Sequence, residues 1–123
     1  MVTYELVARE SDTLTYRYWP EDDRLARCGT FVVDLSTATA RLVEPAEGDF
    51  KSHTTGRDMN AMRDEINRMR LESGEPALTE EELPTEPDDK VYEWWTYFDG
   101  ALRNLSSRND AGEIPERGMA AWY

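Results

Sequence analysis

The stretch Asp88-Asp89-Lys90-Val91-Tyr92-Glu93-Trp94-Trp95-Thr96-Tyr97-Phe98-Asp99-Gly100-Ala101-Leu102-Arg103-Asn104-Leu105-Ser106-Ser107-Arg108 dictates what the rest of the chain has to do. At about 100° per residue, Val91, Trp94, Trp95, Phe98, Ala101, Leu102 and Leu105 fall within an arc of roughly 120°. Glu93, Thr96, Asp99, Arg103, Asn104 and Ser107 fall opposite. The spacing predicts an amphipathic helix over 88–108 whose aromatic face must be covered. Pro87 is tolerated at such a start because its missing N–H is not needed there, and Asp88 and Asp89 would complement the helix dipole.

The first forty residues offer the cover. Val2, Tyr4, Leu6 and Ala8 alternate with Thr3, Glu5 and Val7; Leu14, Tyr16 and Tyr18 alternate with Thr15, Arg17 and Trp19; Phe31, Val33 and Leu35 alternate with Thr30, Val32 and Asp34. A period of two in β-branched and aromatic residues predicts half-buried strands, with Ala40 to Val43 a short fourth. The short connections favour antiparallel pairing, since parallel strands need long crossovers. The expected fold class is α+β. A three- to four-stranded antiparallel β-meander over 2–43 packs on the 88–108 core helix, and a peripheral helix lies beside it.

That peripheral helix is expected over 57–72, with Met59, Met62, Ile66 and Met69 at spacings of three, four and three. Its apolar stripe spans only about 80°, which suits the edge of a fold or a contact with a partner. Thr55 with Asp58, and Thr79 with Glu82, have capping-box spacing. The apolar end, Met119-Ala120-Ala121-Trp122-Tyr123, is expected to dock on the body, and a length of 123 residues suits a single domain, 1–123.

Composition bounds the function. The chain of 123 residues carries a net charge of −12, and residues 72–93 alone hold nine acids against Lys90. Such a field repels nucleic-acid phosphates and anionic membrane, so neither is expected as a direct partner. The opening lacks a basic region followed by an apolar run, and no apolar run could span a bilayer, so a soluble cytoplasmic protein is expected. One cysteine, Cys28, excludes an internal disulfide, and one histidine, His53, excludes a two-histidine metal site. A nucleophilic triad would have to be assembled from Cys28 or a Ser with His53 and an orienting acid; a buried structural thiol and an exposed loop histidine are the plainer reading. The Asp22, Asp23, Asp88 and Asp89 carboxylates lack the Gly-centred spacing of a calcium loop, and no Gly-rich phosphate cradle is present. No cofactor or metal is expected, and no enzyme.

The candidate surface is one for a protein partner. Tyr92 and Trp19 are aromatic anchors if exposed and core margins if not. The acidic run with Glu80, Glu81, Glu82 and Glu86 is a solvated connector, or else a face for a basic protein partner, including imitation of DNA phosphates toward a DNA-binding protein. Met59, Met62 and Met69 pack internally, or else meet another protein or a second copy in a homodimer through the 57–72 helix.

Three segments, Leu14-Thr15-Tyr16-Arg17-Tyr18-Trp19-Pro20-Glu21, Gly29-Thr30-Phe31-Val32-Val33-Asp34 and Pro115-Glu116-Arg117-Gly118-Met119-Ala120-Ala121-Trp122-Tyr123, resemble a group of small bacterial proteins associated with mobile elements. With the last helix they cover half to two thirds of the chain, and the final motif is the most specific. The resemblance implies no activity, cofactor or site residue. It implies a shorter route from sheet to final helix than residues 57–86 provide, which makes the Met-rich helix an addition.

Overall fold

Alternation in the first forty residues becomes a sheet with one apolar face. The structure, a computed structural model, describes residues 1–122. Strands β1 (Val2–Glu10), β2 (Thr13–Pro20), β3 (Gly29–Asp34) and β4 (Thr39–Glu44) form an antiparallel meander. β7 (Arg117–Ala120) adds a fifth strand outside β1, giving the order β4-β3-β2-β1-β7. Val2, Tyr4, Leu14, Tyr16, Tyr18, Phe31 and Val33 all point to the buried side. The alternation in β1 breaks between Leu6 and Ala8, where the register with β2 shifts, and Ala8 is exposed. A bulge of this kind reverses which residues face inward.

Two sequence expectations are corrected here. The sheet has five strands rather than three or four, because the last residues supply a strand partner for β1 from Val2 to Glu5. The helix expected over 88–108 begins only at Thr96: α2 spans Thr96–Asp110, and Val91–Trp95 forms a strand, β6. β6 pairs with β5 (Lys51–Thr55) in a separate two-stranded sheet. The run Val-Tyr-Glu-Trp-Trp is β-branched and aromatic and alternates exposed with half-buried positions, so pairing with β5 outweighs helical periodicity. Val91, Trp94 and Trp95 therefore leave the helical stripe. Phe98, Ala101, Leu102 and Leu105 remain, with Ala101 and Leu105 fully buried in the core. Phe98 sets its ring 5.3 Å from Phe31 and 6.2 Å from Tyr18.

Two compact units can be distinguished along the chain. The first comprises Met1–Lys51 with residues 95–122; the second, Ser52–Trp94, is inserted within it and is built on α1 (Gly56–Glu72). A single continuous segment whose internal contacts outweigh its external ones separates in this way. The C-terminal expectation over 119–123 is resolved in part. Met119 and Ala120 lie in β7, and the Trp122 ring lies tilted against Tyr97 at 5.5 Å and beside Gly100. A Cβ at Gly100 would stand 2.6 Å from the Trp122 ring. Tyr123 lies outside the described residues. No helix among the described residues is long and apolar enough to cross a membrane.

The start of α2 has no cap from its own chain neighbour, Trp95. Asp49 supplies one from a distance: its carboxylate accepts from Tyr97 N at 2.9 Å and Phe98 N at 3.2 Å, and also from the Tyr18 hydroxyl at 2.7 Å. One side chain thus satisfies two free helix donors and a buried hydroxyl. Asp49→Ala is expected to cost about 2–3 kcal/mol in a urea titration of the full chain, from lost caps plus an orphaned donor. A cost below about 1 kcal/mol would show that α2 does not depend on it.

Tyr16 gives a second test. Burial, with a smaller contribution from neighbouring Tyr4, pushes its hydroxyl from 10.0 up to about 12. Between these values the unfolded chain has released the proton and the folded chain has kept it. The stabilisation is therefore complete below pH 10.0 and is lost as pH rises toward about 12. Urea midpoints measured across this range should fall, and Tyr16→Phe should flatten the slope. Equal slopes would exclude this hydroxyl as a cause.

Candidate functional site

Helix α1 carries two stripes, and the structure uses them oppositely. Asn60, Arg63, Asn67 and Arg70 repeat at spacings of three, four and three, and all four are half-buried. Met62 and Met69, on the apolar stripe, are 63% and 57% exposed, and Ile66 is 37% exposed. Met59 is half-buried. The inner face of this helix is polar and the apolar face is open.

The polar stripe binds the segment that follows the helix. Arg70 Nε donates to Pro76 O at 2.9 Å, and Asn67 Oδ1 accepts from Leu78 N at 2.8 Å. Arg63 Nε donates to Leu83 O at 2.9 Å, and its guanidinium pairs with Glu80. Asn60 donates to Glu86 O at 2.7 Å and accepts from Glu86 N at 2.8 Å, a two-point pairing of side-chain amide with backbone. Residues 76–88 thereby run back along α1 as a strap. Leu83 N to Thr79 O, 2.9 Å, closes one helical turn within it. Thr79 and Glu82 form a reciprocal capping box around that turn, each accepting from the other's backbone N–H at 3.2 Å.

The strap ends over the start of α1. Gly56 N donates to Lys90 O at 2.8 Å and Arg57 N to Asp88 O at 3.2 Å. A Cβ on Gly56 would lie 1.7 Å from Pro87 O, so only glycine admits this crossing. Asp88 consequently meets Asn60 Nδ2 at 3.0 Å rather than opening the final helix. Thr55 caps α1, accepting from Asp58 N at 3.2 Å.

The acidic candidates are mostly engaged inside this unit. Glu80 accepts from Thr85 N at 2.9 Å and from its hydroxyl, which, with Arg63, holds its carboxyl below the usual range. Glu86 accepts from the Tyr92 hydroxyl, and Glu82 belongs to the capping box. Glu81 is exposed. Tyr92 is half-buried in β6, with the Lys90 ammonium 4.6 Å over its ring.

Trp19 lies in the other unit, on the open face of the five-stranded sheet. The Arg24 guanidinium lies 3.8 Å over its ring. Arg24 is held there by Asp22 at 2.7 Å and Glu5 at 3.1 Å. The Arg24 hydrogen bond, with one from Thr3, keeps the Asp22 carboxyl below its usual range. One face of the Trp19 ring is thus covered by Arg24.

His53 is exposed in β5, whereas Cys28 is a half-buried free thiol just before β3 in the first unit. Among the described residues, no three His, Cys, Asp or Glu side chains gather to hold a metal. A cleft of about 370 Å³ opens between the β3–β4 turn and the end of α2, lined by Leu35, Ala38, Leu102, Asp34, Ser106 and Asp110. Asp34 there is bound by its own turn, accepting from Ser36 Oγ at 2.6 Å and Ser36 N at 2.9 Å.

Hydrophobic spacing does not reveal the Asn/Arg stripe. Its sequence signal is four polar residues at helical spacing, Asn60, Arg63, Asn67 and Arg70, followed by a segment holding Pro76, Pro84 and Pro87. Asn60→Ala should loosen the strap at two backbone points, at about 1–2 kcal/mol. Limited proteolysis between residues 76 and 88 should then quicken several-fold, while near-ultraviolet circular dichroism of the tyrosine core stays unchanged. Unaltered cleavage would show that the strap is held elsewhere.

Against this geometry, comparison with family models, curated proteins and solved structures finds no match for the chain.

Proposed function

We propose that this protein is a non-enzymatic interaction module in which the inserted unit, Ser52–Trp94, bears the contact with a protein partner. One observation carries the reading. α1 commits its less exposed side to polar contacts with the strap, while Met62 and Met69 stay more than half exposed and Ile66 partly so. An apolar row kept in water on a helix that is otherwise fully supported favours a binding role. Methionine suits it, because a flexible thioether adapts to varied partners.

The segments that resemble mobile-element proteins, 14–21, 29–34 and 115–122, all fall in the first unit. We take that unit as the scaffold and the insertion as what is particular to this chain. The acidic-inhibitor reading, with carboxylates of 72–93 imitating DNA phosphates, draws on the charge of that run. Glu80, Glu82 and Glu86 are turned to contacts within the unit, which leaves it fewer free carboxylates.

Affinity capture from extract, with the full chain and with the Met62→Glu, Met69→Glu double variant, tests the choice. The wild type should retain a protein that the variant loses, and washing with salt should remove it only weakly. Identical captures by both would end this reading. Loss on raising salt, indifferent to the methionines, would favour imitation of nucleic acid.

A further inference from the structure

We propose that Met62, Ile66 and Met69 receive one face of a basic amphipathic helix belonging to another protein. The proposal rests on the interaction-module reading and specifies its partner. Met59, Met62, Ile66 and Met69 occupy the a and d positions of a short heptad pattern. The flanking g positions are Asp58, Glu65 and Glu72, all acidic. The flanking e positions include Arg63 and Arg70, whose guanidinium groups are turned into the strap by Leu83 O, Glu80 and Pro76 O. The strap covers the side of the helix nearest a, which explains why Met62 and Met69 at d are more exposed than Ile66 at a.

Charge decides the occupant. Arg68 bridges Glu65 and Glu72, reaching Glu72 at 2.6 Å, so the row of Asp58, Glu65, Arg68 and Glu72 keeps a net of −2. The whole unit holds twelve acidic and five basic side chains, a net of −7. A second copy laid antiparallel would set g against g, acid against acid. Laid parallel, it would set those acids against Arg63 and Arg70, which are already paired. Charge opposes the antiparallel homodimer, and the parallel one gains little from arginines already committed to the strap. A helix with leucine-like residues on one face and Lys or Arg beside them meets the apolar row and the acids together.

The probe is a fluorescent 18-residue peptide of leucine and lysine with leucines at helical spacing. Controls are its glutamate-for-lysine analogue and a scrambled peptide of the same composition. In anisotropy titrations with the full chain at low salt, the Leu/Lys helix should bind at least tenfold more tightly than either control. Met62→Glu with Met69→Glu should remove at least tenfold of that affinity with the far-ultraviolet spectrum unchanged. Glu65→Gln with Glu72→Gln should weaken it a few-fold and reduce its salt dependence. Equal binding by the scrambled peptide, or indifference to the methionine changes, would overturn the proposal. So would a dimer in light scattering that the methionine variant disperses, since the occupant would then be a second copy. If extract capture still depends on Met62 and Met69 while the three peptides bind alike, the basic helix is wrong and the interaction module stands. If capture is also indifferent, both fall.

Discussion

Three tyrosine hydroxyls buried on one face of the sheet constrain everything around them. A phenol can bring a large ring into a core, but its hydroxyl must find a partner or cost one to several kcal/mol, about the loss of a hydrogen bond. Tyr4 donates to Asn104 Oδ1 at 2.7 Å and accepts from Arg108 at 3.1 Å; Tyr16 donates to Pro115 O at 2.8 Å; Tyr18 donates to Asp49 and accepts from Ala46 N at 3.0 Å. Those partners lie on α2, on the segment leading to β7 and on the loop leaving β4. The rings are packed as well, with Tyr16 stacked on Phe31 at 5.4 Å and edge-on to Tyr4 at 5.7 Å. Apolar contact alone is non-directional. The hydroxyls fix which residue of each surrounding segment sits where, and among the described residues no buried side-chain polar atom lacks a partner.

The two units are held by different physics. The first has, among the described residues, ten buried apolar side chains in one cluster, eight of them fully buried, weighted to aromatics because the chain is short of aliphatic residues. The second buries no large apolar side chain among the described residues; Gly56 is the only buried residue of its helix. It is held by amide and guanidinium groups of α1 gripping the backbone of an extended strap. Hydrogen bonds of this kind contribute about 1 kcal/mol each and are directional, so they specify the path of residues 76–88 without needing a core. Met62 and Met69 remain more than half exposed in that arrangement.

Legibility followed the range of the interaction. β1 to β4 were readable because period-two alternation expresses which side of a strand is wet, and the bulge at Leu6 to Ala8 shows where that regularity ends. The caps at Thr55 and Thr79 were readable because donor and acceptor lie three residues apart. Val91–Trp95 was misread because five residues satisfy both periods, and the partner that decides between them, β5, lies some forty residues earlier. Asp49 could not have been found by spacing, since its partners Tyr18, Tyr97 and Phe98 stand 31, 48 and 49 residues away. Of the candidate surface, the methionine row was legible. The polar zipper that leaves it open was not, nor was Arg24 across Trp19.

By itself the sequence determined the α+β class, the wet and dry faces of four strands, the helix caps and an acidic charge concentrated before the last helix, because each of these is set by neighbours within a turn or two. Tertiary structure alone decided that the last residues complete the sheet and that an insertion forms its own unit. It also decided that Glu75, Glu80 and Asp88 meet side chains of α1 while Glu82 and Glu86 are bound by Thr79 and Tyr92. Those outcomes depend on donors and acceptors distant in sequence, whose pairing is fixed only when burial makes an unpaired polar group too costly to leave.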